Sequence, residues 1–464
     1  MGAIRRSEAV NEAGMEDAMK QRCWAAVMAM VAMLAVLAPA NALIRDAEME
    51  AVLHEVAKPI LDAAGFAEDE VKLSVWGDGR VNAFATGDNR IVLFSGLVEA
   101  AENYGELAAV IAHEAAHLAG GHVVRRAEHF AETSVAASAL SLLAVIAATA
   151  GTNDPGAALG GLAATQHVAE RTALIYTRDQ EAAADAQAVL FMDQAGLDPV
   201  YLADFLGTLA EDERSWGDVD PYTQSHPLSS DRISTLQRQT DNFSKQFVDI
   251  DPGLQHRFER VQAKLHSFLG DPAEVLEKLD PSDSSEIATL QRAVALHRLG
   301  RHGEAIAEVD RLVGMHPEDP YHLELKGQIQ FESGQTEEAV VIYRQVLSQT
   351  PDEALIKVGL AQALLALQDD ASTAEALEVL EDAVRRDSLN APARYFLAQA
   401  LARKGNLPRA NLMTAEQRLI LGDLGGARRF AERTIEGAGA GTPEWFRAND
   451  ILGELGVPVE PEKL

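Results

Sequence analysis

The sequence predicts an α+β domain, mostly helical with a small antiparallel sheet, followed by an all-α solenoid of paired helices. Three observations carry that prediction. Residues 71–94 hold three short apolar runs separated by glycine–aspartate turns. The next segment, from about Gly105 to Glu128, has apolar residues at helical spacing. From about residue 253 the texture changes to short helices joined by polar turns, with a repeat of 34 residues.

Composition bounds the rest. A chain of 464 residues is long enough for two or three domains, and 47% hydrophobic residues suffice for a sizeable core. Acidic residues number 71 against 40 basic ones, a net charge of -31, which repels phosphate backbones and argues against a nucleic-acid partner. The single cysteine, Cys23, excludes a disulfide scaffold, a thiolate metal site and a cysteine nucleophile in the mature chain.

The N-terminus reads as an export signal. Lys20 and Arg22 precede an apolar run from Cys23 to Ala38, Pro39 breaks it, and Ala40-Asn41-Ala42 offers small residues around a cleavage point after Ala42. Cleavage there would release the mature protein on the far side of a membrane. The alternative is an uncleaved anchor, for which the run is short against a span of about 20 residues. Beyond it, Val52, Val56, Ile60 and Leu61 mark a helix over 46–64. Strands follow at Val71–Trp76, Val81–Ala85 and Arg90–Phe94, read as an antiparallel meander. Residues 134–164 form two small-residue apolar arms around a Gly-Thr-Asn-Asp-Pro-Gly turn. Both arms are short for a bilayer, so a helical hairpin fits better, packed on the protein or making peripheral membrane contact. A helix from about Val168 to Ala195 is expected to end at Gly196.

In the C-terminal part, Gly300 and Gly334, Ala305 and Ala339, Val309 and Tyr343, and Pro317 and Pro351 each lie 34 apart. This order of small, bulky and proline positions fits tetratricopeptide helix pairs, which stack to bury apolar faces and leave a concave groove. Ala376 continues the series after three extra residues, and Ala410 and Ala427, with Gly405 and Gly422 in matching turns, suggest two degenerate units. The expected divisions are 1–42 (signal), 43–250 (catalytic domain) and 251–464 (repeats).

Residues 113–117 read His-Glu-Ala-Ala-His. Positions four apart share one helix face, so His113 and His117 can aim two imidazoles at one zinc ion, and Glu114 can reach its open side to take a proton from water. A catalytic zinc needs a third protein ligand. His122 is one candidate, but five positions beyond His117 it falls on another face of a continuing helix and reads as an outer or merely packed residue. Glu181 is the better one: Glu181 and Asp185 lie four apart among alanines that permit close helix approach. Asp185 can then accept a hydrogen bond from the far nitrogen of a ligand histidine.

His113-Glu-Ala-Ala-His117 followed by Glu181-x-x-x-Asp185 resembles the HtpX-type gluzincin metallopeptidases. Asn82-Ala83-Phe84-Ala85 upstream, and Ser225-His226-Pro227 with Asp231-Arg232 downstream, are similar to that family too. A signal in front and tetratricopeptide repeats behind resemble its branch of periplasmic proteases of outer-membrane-protein quality control. The resemblance implies a gluzincin fold, one zinc per chain, and hydrolysis of peptide bonds in unfolded or misassembled proteins. It implies that the strand Asn82, Ala83, Phe84 and Ala85 pairs with extended substrate backbone. Two roles are open to His226: donor to the oxyanion, or fourth zinc donor that keeps the enzyme latent. Arg232 is expected to pair with a carboxylate beside the site. The repeat groove would bind client or outer-membrane assembly machinery. The rival reading is a chaperone or adaptor whose zinc site is latent or structural.

Overall fold

The computed structural model describes residues 43–125, 176–216, 226, 230–240 and 250–457. The export signal and the 134–164 hairpin lie outside the described residues. Two compact units emerge, one of residues 1–44 and 52–258, the other of residues 45–51 and 259–464. Among the described residues no helix is long and apolar enough to cross a membrane.

The first unit opens with strand β1 (Leu43–Ile44), and most of helix α1 (Ala47–Ala63) belongs to it. Strands β2 (Lys72–Trp76), β3 (Ala83–Thr86) and β4 (Arg90–Phe94) complete a four-stranded sheet of order β1-β2-β4-β3. The sheet is mixed and not an antiparallel meander: β2 runs parallel to β4, with Trp76 opposite Phe94, while β3 pairs antiparallel with β4, Ala83 opposite Leu93. The turn at Gly77-Asp78-Gly79 does not join two paired strands. Instead the segment crosses the end of β4, where Asp78 O accepts hydrogen bonds from Ser95 Oγ and from Gly96 N, both at 2.9 Å. Gly96 has no room for a side chain, because a Cβ there would lie 2.2 Å from Gly79 O. The most apolar run, Ile91 to Phe94, is buried throughout and so takes the interior of the sheet, leaving β3 at the edge.

Helix α2 (Ser95–Ala100) leads into α3 (Tyr104–Ala119), whose Asn103 cap accepts from Glu106 N. The expected helix to Glu128 ends early. Gly120 caps α3, Gly121 adopts a left-handed φ of +63°, and residues 122–125 begin a new helical turn. Every residue of α3 from Tyr104 to His117 is buried, the polar ones included.

Helix α4 (Arg178–Ala195) starts later than the expected Val168. Thr177 is its N-cap, closing a capping box with Gln180, while Tyr176 precedes it in non-helical backbone. Gly196 ends it in a left-handed C-cap, as the sequence predicted. Ala184 and Phe191 pack against Ala116 of α3. Helices α5 (Val200–Trp216), α6 (Ser230–Thr240) and the start of α7 (Pro252–Leu269) finish the unit.

The second unit takes the rest of α7, then α8 (Pro272–Lys278), α9 (Glu286–Arg298), α10 (His302–Met315), α11 (Pro320–Glu332), α12 (Thr336–Gln349), α13 (Ala354–Ala366), α14 (Asp370–Arg386), α15 (Ala391–Arg403), α16 (Leu407–Ile420), α17 (Leu424–Gly437) and α18 (Pro443–Glu454). The repeat residues Ala305, Val309, Ala339 and Tyr343 are all buried. Gly300 and Gly334 adopt left-handed backbone in the turns after α9 and α11, and Gln368, another 34 residues on, does so after α13. The register thus continues to 368, and the three extra residues lengthen α14 beyond it. Ala410 and Ala427 require a correction. Ala410 lies on α16, the second helix of its pair like Ala305, Ala339 and Ala376, whereas Ala427 lies on α17, the first helix of the next pair, so the two fall in successive pairs but not at equivalent positions.

Candidate metal centre

Helix α3 carries His113 and His117 one turn apart, and α4 brings Glu181 and Asp185 one turn apart against them. His113 Nε2 and His117 Nε2 stand 3.0 Å apart. Glu181 Oε2 is 3.5 Å from His113 Nε2, and Glu181 Oε1 is 3.5 Å from His117 Nε2. His226 joins them, with Nδ1 3.2 Å from His113 Nε2 and 3.1 Å from Glu181 Oε1. One ligand atom from each of these four residues lies within 4.8 Å of all the others, and all four side chains are buried. Glu114 is also fully buried; its Oε1 is 3.3 Å from His226 Nε2, and neither of its oxygens has a hydrogen-bond partner among the described residues.

This donor set fits a divalent ion. Three imidazole nitrogens and a carboxylate converge in a dry site at spacings that a cation between them could bridge. Nitrogen with oxygen, without thiolate, is a donor set that several imidazole-binding divalent metals accept, zinc among them.

Two further side chains hold the carboxylates in place. Asp185 Oδ1 sits 3.1 Å from His113 Nδ1, the nitrogen facing away from the other ligand atoms. Arg232, buried on α6, donates from Nε and Nη2 to Asp185 at 2.6 and 2.8 Å, and its Nη1 lies 2.7 Å from Glu181 Oε2. One guanidinium therefore clamps both Glu181 and Asp185.

The electrostatics follow from burial and these contacts. Burial opposes protonation of His113, yet contacts with Asp185 and Glu181 outweigh it and raise its pKa to about 9. Burial, with His113 and His226 nearby, lowers His117 to about 2, so that ring is neutral and ready to coordinate. Burial opposes ionisation of Glu181, but His226, His113 and His117 outweigh it and hold its carboxyl far below the usual range. Asp185 is likewise lowered against its burial, by His113 and Arg232.

His122 does not enter the four-residue group. Its Nδ1 sits 3.1 Å from His117 Nδ1, on the outer side of that ring. On the edge strand, Ala83 and Ala85 are fully buried, while Asn82 and Phe84 are half-buried. Phe94 N donates to Asn82 O at 2.9 Å, so Asn82, Phe84 and Thr86 make the bonded pairs with β4. The main-chain N–H and C=O of Ala83 and Ala85 then point away from β4. Sequence reasoning missed Tyr176. Its buried ring stacks on His117 with centroids 3.7 Å apart and planes 22° apart. Its only sequence signal was its place just before the Thr177 cap.

Comparisons with known proteins agree with this chemistry. Residues 43–240 match the description "Peptidase family M48", and residues 323–353 and 372–419 match tetratricopeptide repeats. The chain is 24% identical over 372 residues to the Beta-barrel assembly-enhancing protease of Yersinia pestis, covering 75% of each. A Vibrio cholerae protein provisionally given that name is 30% identical over 236 residues, 50% of this chain and 46% of that one. The Mitochondrial metalloendopeptidase OMA1 of Schizosaccharomyces pombe is 27% identical over 187 residues, 40% of this chain and 51% of the yeast protein. The chain thus spans about half the length of the Vibrio and yeast relatives. Among solved structures, a thermophilic tetratricopeptide protein of Thermus thermophilus aligns with 36% of this chain and 99% of its own, at 24% identity and a TM-score of 0.26.

Proposed function

We propose, from the premise that residues 43–240 are a peptidase family M48 domain with tetratricopeptide repeats behind it, that this chain is a zinc-dependent endopeptidase. The observation that carries the proposal is the convergence of His113, His117, Glu181 and His226 beside the unbonded Glu114 carboxylate. His113, His117 and Glu181 hold the ion, one per chain. Zinc bound there would supply Lewis acidity toward the scissile carbonyl and toward water. Glu114 accepts a proton from the attacking water and returns it to the leaving amine. Asp185 orients His113, and Arg232 fixes Glu181 and Asp185. The outer side of β3, the last strand of the sheet, would receive an extended peptide by main-chain pairing, which reads backbone and suits unfolded clients.

For His226 the position of Nδ1 within the ligand group favours the latent reading over the oxyanion role. A fourth protein donor occupies the place that water needs. A His226→Ala variant is expected to keep its zinc and hydrolyse an unfolded protein such as casein faster than wild type. Lost turnover would instead support the oxyanion role.

Relatives named for β-barrel assembly and the signal-like N-terminus support a periplasmic location and outer-membrane proteins as clients. The repeat unit would then recruit the client or its assembly machinery. The metal assignment is tested by element analysis of purified protein. Wild type should carry one zinc per chain and Glu181→Ala essentially none; full zinc in the variant would remove Glu181 from the site.

A further inference from the structure

We infer that His122 is a positioning residue for the metal centre, accepting a hydrogen bond from His117 Nδ1 and thereby fixing the tautomer that leaves His117 Nε2 free to coordinate. The inference rests on the metal-site reading above and extends it to the back of the second imidazole.

Two distances identify the coordinating atom of His117. Its Nε2 is 3.0 Å from His113 Nε2 and 3.5 Å from Glu181 Oε1, so Nε2 points into the ligand group and Nδ1 points out. A neutral imidazole that offers Nε2 as a lone pair carries its proton on Nδ1, which then needs an acceptor. Histidine ligands generally find one in a carboxylate, a carbonyl or water. For His113 that place is held by Asp185. For His117 the atom in reach is His122 Nδ1, at 3.1 Å, on a side chain that is itself buried. With both rings neutral, the bond runs one way: His117 Nδ1–H donates, and His122 keeps its own proton on Nε2.

The backbone is shaped for this contact. On an unbroken helix a residue five positions on lies roughly 140° around the axis, out of reach of the same ring. Here α3 stops at Gly120, Gly121 takes its left-handed φ of +63°, and the chain turns back at His122. A side chain at Gly120 would meet His122 Nε2 at 2.9 Å and Cε1 at 3.1 Å, so the glycine clears the space the imidazole occupies. Two neighbouring glycines and a buried imidazole thus form one device behind His117. The two rings are backed differently, His113 by the Asp185 carboxylate and His117 by an imidazole nitrogen.

The test uses the full chain, stripped of metal with a chelator, and zinc alone as probe in competition with a chromophoric chelator. His122→Leu keeps bulk but removes the acceptor; His122→Asn puts an amide oxygen about where Nδ1 lies. We expect His122→Leu to bind zinc about tenfold or more weaker and His122→Asn to recover most of that loss. Equal affinity in wild type and His122→Leu would overturn the inference, as would loss without recovery in His122→Asn. If wild type itself binds no zinc, the metal-site reading fails instead, which separates the two. A second measurement does not depend on variants folding. Nitrogen-15 spectra of zinc-loaded wild type should show His117 protonated at Nδ1 and His122 protonated at Nε2. His122 protonated at Nδ1 would overturn the inference.

Discussion

Replacing Glu114 by Gln should reduce hydrolysis of an unfolded protein substrate by on the order of 10²–10⁴-fold while leaving zinc content unchanged. The size follows from what the residue is asked to do. Glu114 sits between the two ligand histidines in sequence but holds none of the four converging ligand atoms. Both of its oxygens are buried without a hydrogen-bond partner among the described residues, which is costly unless a proton or a reacting water is to be received there. Glutamine keeps the shape and loses the basicity. The measurement is the initial rate on casein with metal analysis on the same preparation. Near-wild-type turnover in a zinc-loaded Glu114→Gln protein would mean another base serves the reaction. Unchanged cellular activity with no proteolysis would favour the adaptor role for the repeats.

Arg232→Leu should destabilise the metal-free protein by about 3–5 kcal/mol at neutral pH, the usual cost of removing one partner from a buried ion pair. Arg232 is only 8% exposed, so solvent does little to screen its pairing with Asp185 and Glu181. Without it, two buried carboxylates four residues apart face each other and three imidazoles. The pH dependence has a defined sign. Asp185 is lowered in the folded protein, so its contribution to wild-type stability is present above its unfolded pKa of about 4 and is lost as pH falls through the folded value. In the variant the uncompensated carboxylate resists ionisation, and acid relieves the penalty. The gap between the two proteins, read from urea titrations, should therefore narrow as pH is lowered from 7 toward 4. A gap that stays constant would assign the loss to packing and not to charge.

Much of this was legible in the chain. His113, Glu114 and His117 announce themselves because five residues of helix geometry suffice to put two imidazoles on one face. The strand Arg90–Phe94 and the end of α4 at Gly196 were readable for the same reason, since apolar runs and glycine caps act over a few residues. The repeat period was visible wherever glycine marked the turn, and faded at Gln368, where a non-glycine residue holds the same left-handed backbone. Sheet order was not legible: which strand lies between which depends on a loop crossing the end of β4, a contact between Asp78 and Ser95 that no local pattern encodes.

The sequence by itself determined the ligand types, the helix that carries two of them and the helical-repeat character of the C-terminal part, because each depends on spacing within one element. Only the tertiary structure decided that Glu181 and His226 meet those histidines, that Arg232 clamps Asp185, and that His122 and Tyr176 flank His117. Those contacts join residues of different elements, or pass through a break in the backbone. They are set by how buried surfaces pack, and packing is a property of the whole folded unit.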